Sequence, residues 1–351
     1  MTSDYTPLDR VLHRMAFDGV EIQKSLADIE DHVFAGRIRE IAVDSPIFVT
    51  SLPRAGTTLL LNALMEVPGM ATHTYRQMPF ILCPLLWDAI SRPLRRPNAT
   101  RERRHGDGMA VGYDSPEAFE EAVWLAFWPD KYEQALIRLW IDGDRSDEFE
   151  AFLKNHVRKI IALNANSCAC RYVSKNNANI GRIALIGRLF PHGTILVPFR
   201  DPIDHASSLL HQHLRFLDVH ANDRFSKLYM AGIGHFEFGE LHKRIAFRDY
   251  REHDDRSLEY WLEYWIAAFE HLMQLPDIRV NFIDYSTWCA KPNTLVEPLS
   301  QILCLSSESM HHSFRDVRFS RRHGNVPTLS GVMLDEARFI HQQLCVRAIN
   351  C

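Results

Sequence analysis

The chain has 351 residues, of which 46% are hydrophobic and 24% charged, and its formal charge is −4. Such a length buries a substantial α/β core, as one large domain or two modest ones, and the composition is that of an ordinary globular protein. The weak net charge gives no global reason to expect nucleic acid, and no stretch approaches the roughly 18–20 apolar residues of a membrane span.

The N-terminal segment MTSDYTPLDRVLHRMAF carries early acids and no apolar run of signal-peptide type. Seven cysteines (Cys83, Cys168, Cys170, Cys289, Cys304, Cys345 and Cys351) lack paired CxxC spacing. Cys168-Ala-Cys170 alone does not make a metal site, so reduced thiols and a cytoplasmic location are expected. Asn98-Ala-Thr100 has the form of a glycosylation sequon, which has no meaning without secretion. Residues 8–42 place Leu8, Val11, Leu12, Met15, Val20, Ile22, Leu26, Ile29 and Val33 at helical spacing and predict one or two helices. Residues 47–50 read as a short strand buried on both faces. A Pro-Arg-Ala-Gly turn follows, and then a helix over 57–65.

Residues 91–109 are punctuated by proline and rich in arginine, an exposed loop in pattern. It is read either as a solvated face or as a basic patch that draws an anion. Residues 115–165 read as largely helical, with Ser115-Pro116-Glu117 as N-cap, first position and acidic first turn. A second buried strand is predicted over 194–199, an amphipathic helix over 257–273 and a third strand over 278–283. Strands alternating with helices predict an α/β fold: a P-loop-like parallel sheet flanked by helices. A single domain over 1–351 is expected, with N-terminal helices 8–42 and helical insertions around 80–165 and 215–256.

Two turns carry chemistry. Pro53-Arg54-Ala55-Gly56-Thr57-Thr58 lies between a strand and a helix, where outward N–H groups and the helix dipole favour an anion. Gly56 permits close backbone approach, Thr57 and Thr58 add hydroxyl donors, and Arg54 adds a permanent planar charge. GxxxxGK[ST] is absent, so this is no Walker loop. Standing alone, the turn reads equally as an ordinary capped helix start.

The second turn follows the strand at 194–199: Arg200-Asp201-Pro202-Ile203-Asp204-His205-Ala206-Ser207-Ser208-Leu209-Leu210-His211. Taken together, the two turns resemble those of sulfotransferases that use 3′-phosphoadenosine-5′-phosphosulfate (PAPS). In that family a P-[KR]-x-G-T-T turn precedes an R-x-P-x-D-x-x-x-S-x-x-H element. The segment 278–292 is similar to the family's third nucleotide element, with Tyr285 and Pro292 at its spacing and Ser286-Thr287 in place of its acidic pair. The resemblance spans about 46–292. It implies that Arg54, Ala55, Gly56, Thr57 and Thr58 hold the 5′-phosphosulfate, that Arg200 and Ser208 hold the 3′-phosphate, and that Tyr285 lies near the adenine. Arg321-Arg322-His323-Gly324-Asn325 resembles the family's C-terminal nucleotide loop.

Sulfuryl transfer resembles phosphoryl transfer in relying on positioning and charge neutralisation. The transferred group is less charged, so fixed cations suffice and no metal is expected. Arg54 is expected to stabilise the leaving phosphate. Lys175 stands where cytosolic sulfotransferases carry a catalytic lysine, and the histidine they place two residues later is here Asn177, which cannot be a base. Alignment with the tyrosylprotein-type enzymes points to His73 as the general base, and the His105/Asp107 loop is the other candidate. Trp87, Trp124, Trp128 and Trp140 are candidates for lining an acceptor pocket or, equally, for core. The expected product is adenosine 3′,5′-bisphosphate (PAP), and the expected partner is a small-molecule, glycan or lipid hydroxyl or amine. An ATP-dependent small-molecule kinase, or a non-catalytic nucleotide- or glycan-binding protein on the same fold, is the alternative.

Overall fold

Short apolar runs alternate with helices along the chain, and backbone pairing decides how they stack. The computed structural model describes residues 7–94, 101–102, 110–111, 115–141, 143–164, 171–275, 280–314 and 331–350. Five strands, β1 (Ile47–Val49), β2 (Met70–Ala71), β3 (Arg171–Lys175), β4 (Thr194–Phe199) and β5 (Val280–Asp284), form one sheet in the order β2-β3-β1-β4-β5. Every pairing in it is parallel.

A parallel sheet must be covered on both faces. Alternate residues along the strands do join different cores. Phe48, Tyr172, Ile195 and Val197 pack into one hydrophobic cluster, and Ile47, Val49, Val173 and Leu196 into another. The helices used below are α1 (Pro7–Asp18), α2 (Val20–Val33), α3 (Thr57–Met65), α4 (Glu120–Phe127), α5 (Asp147–Leu163), α6 (Pro202–Asn222) and α7 (Leu258–Gln274). Leu60, Leu61 and Leu64 of α3 cover the second face, while α5 and α7 contribute to the first.

Local signals explain where these helices start. Ser146 caps α5 by accepting from the Phe149 N–H at 3.2 Å, and Asp147, Glu148 and Glu150 complement its dipole. Ser257 caps α7 in the same way through the Tyr260 N–H. Helix α7 was expected to be amphipathic, yet it is buried nearly all round, because α6 and the C-terminal helix Gly331–Arg347 cover the faces the sheet leaves open. The N-terminal helices are tied down electrostatically. Buried Lys159 of α5 sits 2.8 Å from Glu30 and 2.6 Å from Asp31, both on α2.

The expectation that 115–165 is largely helical needs correction. Pro116 bridges to Thr74 in extended backbone, and α4 starts only at Glu120. Between α4 and α5 lie a short turn, Pro129–Lys131, and a two-residue strand, Leu136–Ile137, which pairs in parallel with Arg244–Ile245. The partner strand lies over a hundred residues away, so local periodicity could not show it. The 215–256 insertion is helical only as far as Gly232, through the end of α6 and then Arg224–Gly232, and is mostly irregular afterwards. Strands β2 and β3 were not foreseen, the first for its length and the second for its polar ends. Among the described residues, no helix is long and apolar enough to cross a membrane.

The strand order also locates a crevice. From β1 the chain leaves toward β2 on one side, and from β4 it leaves toward β5 on the other. Adjacent parallel strands whose following connections diverge leave a cleft at their carboxyl ends, where α/β proteins bind ligands. Both of the turns singled out in the sequence emerge there.

Candidate active site

The turn after β1 is shaped by two left-handed residues, Arg54 (φ 70°) and Gly56 (φ 95°). A non-glycine residue adopts this region only at a cost of about 1 kcal/mol, which the surrounding contacts must offset. Gly56 is required for a second reason. A Cβ there would lie 2.5 Å from the ring of Tyr285, which closes over the turn from the end of β5. The first N–H groups of α3, which have no acceptor within the helix, start directly after Gly56.

The turn after β4 is organised by Asp201. Its carboxylate accepts from the N–H groups of Ile203 and Asp204 at 2.9 and 3.1 Å, and Pro202 takes the first position of α6. Asp201 is therefore an N-cap, and Arg200 is left to reach across. Arg200 Nη1 donates to the Arg54 carbonyl at 3.1 Å, and its guanidinium lies 5.2 Å from the Tyr285 ring centroid. Arg54 Nε lies 3.4 Å from Ser208 Oγ on α6. His205, one turn into α6, donates from Nε2 to the Pro53 carbonyl at 2.7 Å. Arg54, Gly56, Arg200, Ser208 and Tyr285 thus meet at one place.

That place is electropositive. His205 is pushed down to about 3, first by burial and then by the charges of Arg200 and Arg54. Burial and neighbouring Cys289 raise the Tyr285 hydroxyl to about 12. With His205 neutral, the fixed positive charge of this place is carried by the two guanidinium groups. Ala55 is buried in the turn, and Thr58 is half-buried in the first turn of α3. Thr57 points elsewhere: its hydroxyl donates to Asn177 Oδ1 at 3.1 Å. Lys175, buried at the end of β3, pairs in register with Val49 and so stands beside the same turn.

A cleft opens on the other side of the turn, lined among others by Pro53, Glu121, Asn177, Glu237, His242 and Trp261. Asn177 joins the two regions. It accepts from Thr57, and its Nδ2 donates to Glu237 Oε1 at 2.5 Å. Glu237 Oε2 in turn lies 3.0 Å from His235 Nε2. Glu121 is locked instead. It receives both ends of the Arg182 guanidinium at 2.9 and 3.0 Å, the Tyr132 hydroxyl and the Asn176 amide. None of Glu121, His235 or Glu237 stood out in the sequence. Glu121 lies more than a hundred residues from the pair His235 and Glu237, and the one available signal was the amide at position 177 where a base was sought.

A family model described as the sulfotransferase family matches residues 46–233, more than half of the chain and both arginine turns. The chain belongs to the sulfotransferase family. Among solved structures, sulfotransferase STF9 from Mycobacterium avium is similar at a TM-score of 0.50 and 15% identity, over 97% of this chain and 86% of its own. Sulfotransferase STF1 from Mycobacterium tuberculosis H37Rv gives 0.45 at 14% identity over 97% and 87%. A sulfotransferase from Alicyclobacillus acidocaldarius gives 0.37 at 14% over 87% and 94%. At such identities the likeness concerns fold, and the mixed α/β architecture agrees with it. No curated protein matches the chain.

Within this sulfotransferase, several sequence expectations land outside the cleft. His73 is 1% exposed. It accepts from His156 at 2.8 Å and faces the Tyr172 hydroxyl at 3.2 Å, and Tyr172 donates to Glu120 at 2.8 Å. Burial lowers His73 to about 4, against a smaller opposing effect of Glu120. The neutral imidazole could accept a proton, but an acceptor substrate cannot reach it, so the assignment of His73 as base is corrected to a member of a buried polar chain. His105 and Asp107 lie outside the described residues, as do Arg321 to Asn325. Of the arginine-rich stretch, Arg92 pairs with Asp88 at 2.6 Å on an exposed surface.

Trp124 and Trp140 are core rather than pocket, and Trp87 and Trp128 are half-buried. Trp124 and Trp140 enclose the Arg182 guanidinium at 4.3 and 4.1 Å, Trp128 packs edge-on against Phe149, and Trp87 donates to the Met78 carbonyl. Trp261 lines the cleft instead. Among the described residues, no group of three or more histidine, cysteine or acidic side chains could hold a metal ion.

Proposed function

We propose that this sulfotransferase takes PAPS as donor and transfers its sulfuryl group to a hydroxyl or amine of a small-molecule, glycan or lipid acceptor. The observation that carries the reading is the contact between the two turns. Arg200 bonds the backbone of Arg54 while both surround Tyr285 over Gly56, so one nucleotide bearing anions at both ends can be gripped from both turns. In this reading Arg200 and Ser208 hold the 3′-phosphate by charge-assisted hydrogen bonds. Arg54 and the N–H groups of residues 55–58 hold the 5′-phosphosulfate, and Tyr285 supports the adenine.

The reaction forms a bond from acceptor oxygen to sulfur and breaks the bond from sulfur to the 5′-phosphate oxygen. The electron pair leaves on PAP, and the acceptor proton goes to a base. Arg54, the start of α3 and Lys175 supply positive charge where the leaving oxygen gains negative charge. These donors are fixed before substrate arrives, so little reorganisation accompanies transfer. The reading also keeps the single domain and cytoplasmic setting expected from the sequence.

Thermal shift with PAP and with ADP tests the donor. PAP is expected to raise the melting temperature and ADP to do so far less, because ADP lacks the 3′-phosphate for Arg200. Stabilisation by ADP and none by PAP overturns the reading in favour of an ATP-dependent enzyme. Transfer of label from ³⁵S-PAPS to a panel of phenols, sugars and alcohols then tests for activity and identifies the acceptor class.

A further inference from the structure

The cleft beside the phosphate turn presents two carboxylates, and their surroundings differ. Glu121 is held by Arg182, Tyr132 and Asn176, so its lone pairs are spent and its charge is matched. Glu237 Oε1 accepts from Asn177 at 2.5 Å, its Oε2 lies 3.0 Å from His235 Nε2, and its side chain is 21% exposed. A carboxylate oxygen offers two acceptor sites, so each oxygen of Glu237 retains one. The other ring nearby is unsuited. His242 is buried, held down to about 3 by burial and by His213, and its Nε2 is bonded to the Tyr260 hydroxyl.

The backbone shows that Glu237 is placed rather than merely present. The segment 234–239 begins and ends with left-handed glycines, Gly234 (φ 74°) and Gly239 (φ 69°). A Cβ at Gly234 would meet Glu121 at 2.7 Å, and one at Gly239 would meet His220 at 2.6 Å. Phe236 and Phe238 anchor the segment in the hydrophobic core. The intervening His235 and Glu237 are thereby held at the cleft. The path Thr57 to Asn177 to Glu237 fixes the carboxylate two hydrogen bonds from the start of α3. This segment lies just beyond the part of the chain that the family model matches, which ends at residue 233.

We propose that Glu237 is the general base that takes the acceptor's proton, with His235 positioned on its second oxygen to hold the carboxylate in place. The proposal rests on the PAPS reading above. As the acceptor O–S bond forms and the S–O bond to PAP breaks, the proton moves to the Glu237 carboxylate. From there it passes to solvent, which reaches the partly exposed side chain, and the carboxylate returns to its charged state.

The test compares the wild-type chain with Glu237→Gln, which keeps an oxygen for the Asn177 amide but cannot take a proton. PAP affinity, measured by calorimetry, is expected to stay within about twofold, since a charged-group contact to the nucleotide is not removed. PAPS consumption is then followed with water as the sole acceptor and with 4-nitrophenol in mildly alkaline buffer, where this phenol is already ionised. Glu237→Gln is expected to slow transfer to water by about 10²–10⁴-fold, the usual contribution of a general base, and transfer to 4-nitrophenolate by under tenfold. His235→Gln is expected to give a smaller loss with the same preference for water. Equal slowing of both acceptors would mean a structural role and overturn the proposal, as would unchanged turnover. A wild-type chain that binds PAP but consumes no PAPS overturns it too, whereas one that binds no PAP sinks the donor reading itself. Should Glu237→Gln not fold, Glu237→Asp keeps the charge and is expected to retain base-dependent transfer at a reduced rate.

Discussion

The proposed donor and acceptor sides of this site are built from the chain in opposite ways. The donor side comes from two contiguous turns, each directly after a buried strand, with Arg54 and Arg200 brought together because β1 and β4 are neighbours. The acceptor side is assembled from α4, the end of β3 and the segment 234–243, three stretches far apart along the chain. Anion recognition by backbone N–H groups needs a particular local turn, which a short motif can encode. Orienting a single acceptor needs only convergence of side chains, which many sequences achieve. The family model spans both arginine turns and stops at residue 233, short of the segment that carries Glu237.

The comparison can be broken at its firmest point first. Glu121 walls the cleft but is needed mainly to neutralise Arg182, which is fully buried. Glu121→Ala is expected to cost about 3–5 kcal/mol of stability by chemical denaturation, as stranding a buried charge does. The double change Glu121→Leu with Arg182→Met is expected to recover most of it. An unchanged midpoint in the single variant would show that Glu121 is not structural.

On the donor side, Arg200→Ala is expected to weaken PAP binding by about 1.5–3 kcal/mol, the value of a charge-assisted hydrogen bond, without a comparable loss of fold. Unchanged affinity by calorimetry would contradict its assigned role. Next in size is a pH effect. His73, His205 and His242 are held to about 4, 3 and 3, chiefly by burial, against an ordinary value of 6.5. Below 6.5 the unfolded chain therefore binds protons that the native state refuses, and stability falls as pH falls. Each group contributes about 1.4 kcal/mol per pH unit while its native form stays neutral. His205→Gln keeps a donor for the Pro53 carbonyl and is expected to flatten the slope by about one proton. Denaturation midpoints from pH 6.5 toward about 5 measure it, and an undiminished slope refutes the assignment. Smallest is Ser208→Ala, expected to weaken PAP binding by about 0.5–1.5 kcal/mol with no stability change, measured by the same calorimetry.

Much of the framework is readable before any coordinates. The strand at 47–49, the helix at 57–65 and the strand at 194–199 fall where periodicity and turn residues put them, because each is a local unit bounded by proline or glycine. The helix expected from Ser115 failed because Pro116 is captured by Thr74, a contact no local pattern carries. His73 was misjudged for a related reason. Spacing from Pro79 placed it near an active-site element, but a residue's number says nothing of whether Tyr172 and His156 will enclose it.

By itself the sequence determined the two arginine turns and the strands before them, because backbone conformation at Gly56 and capping at Asp201 depend on a few adjacent residues. Only the tertiary structure decided which carboxylates face the cleft. Glu121 and Glu237 are alike as residues, and the difference between a buried counter-ion and a half-buried carboxylate, the proposed base, came from partners over fifty positions away, Arg182 for one and Asn177 for the other.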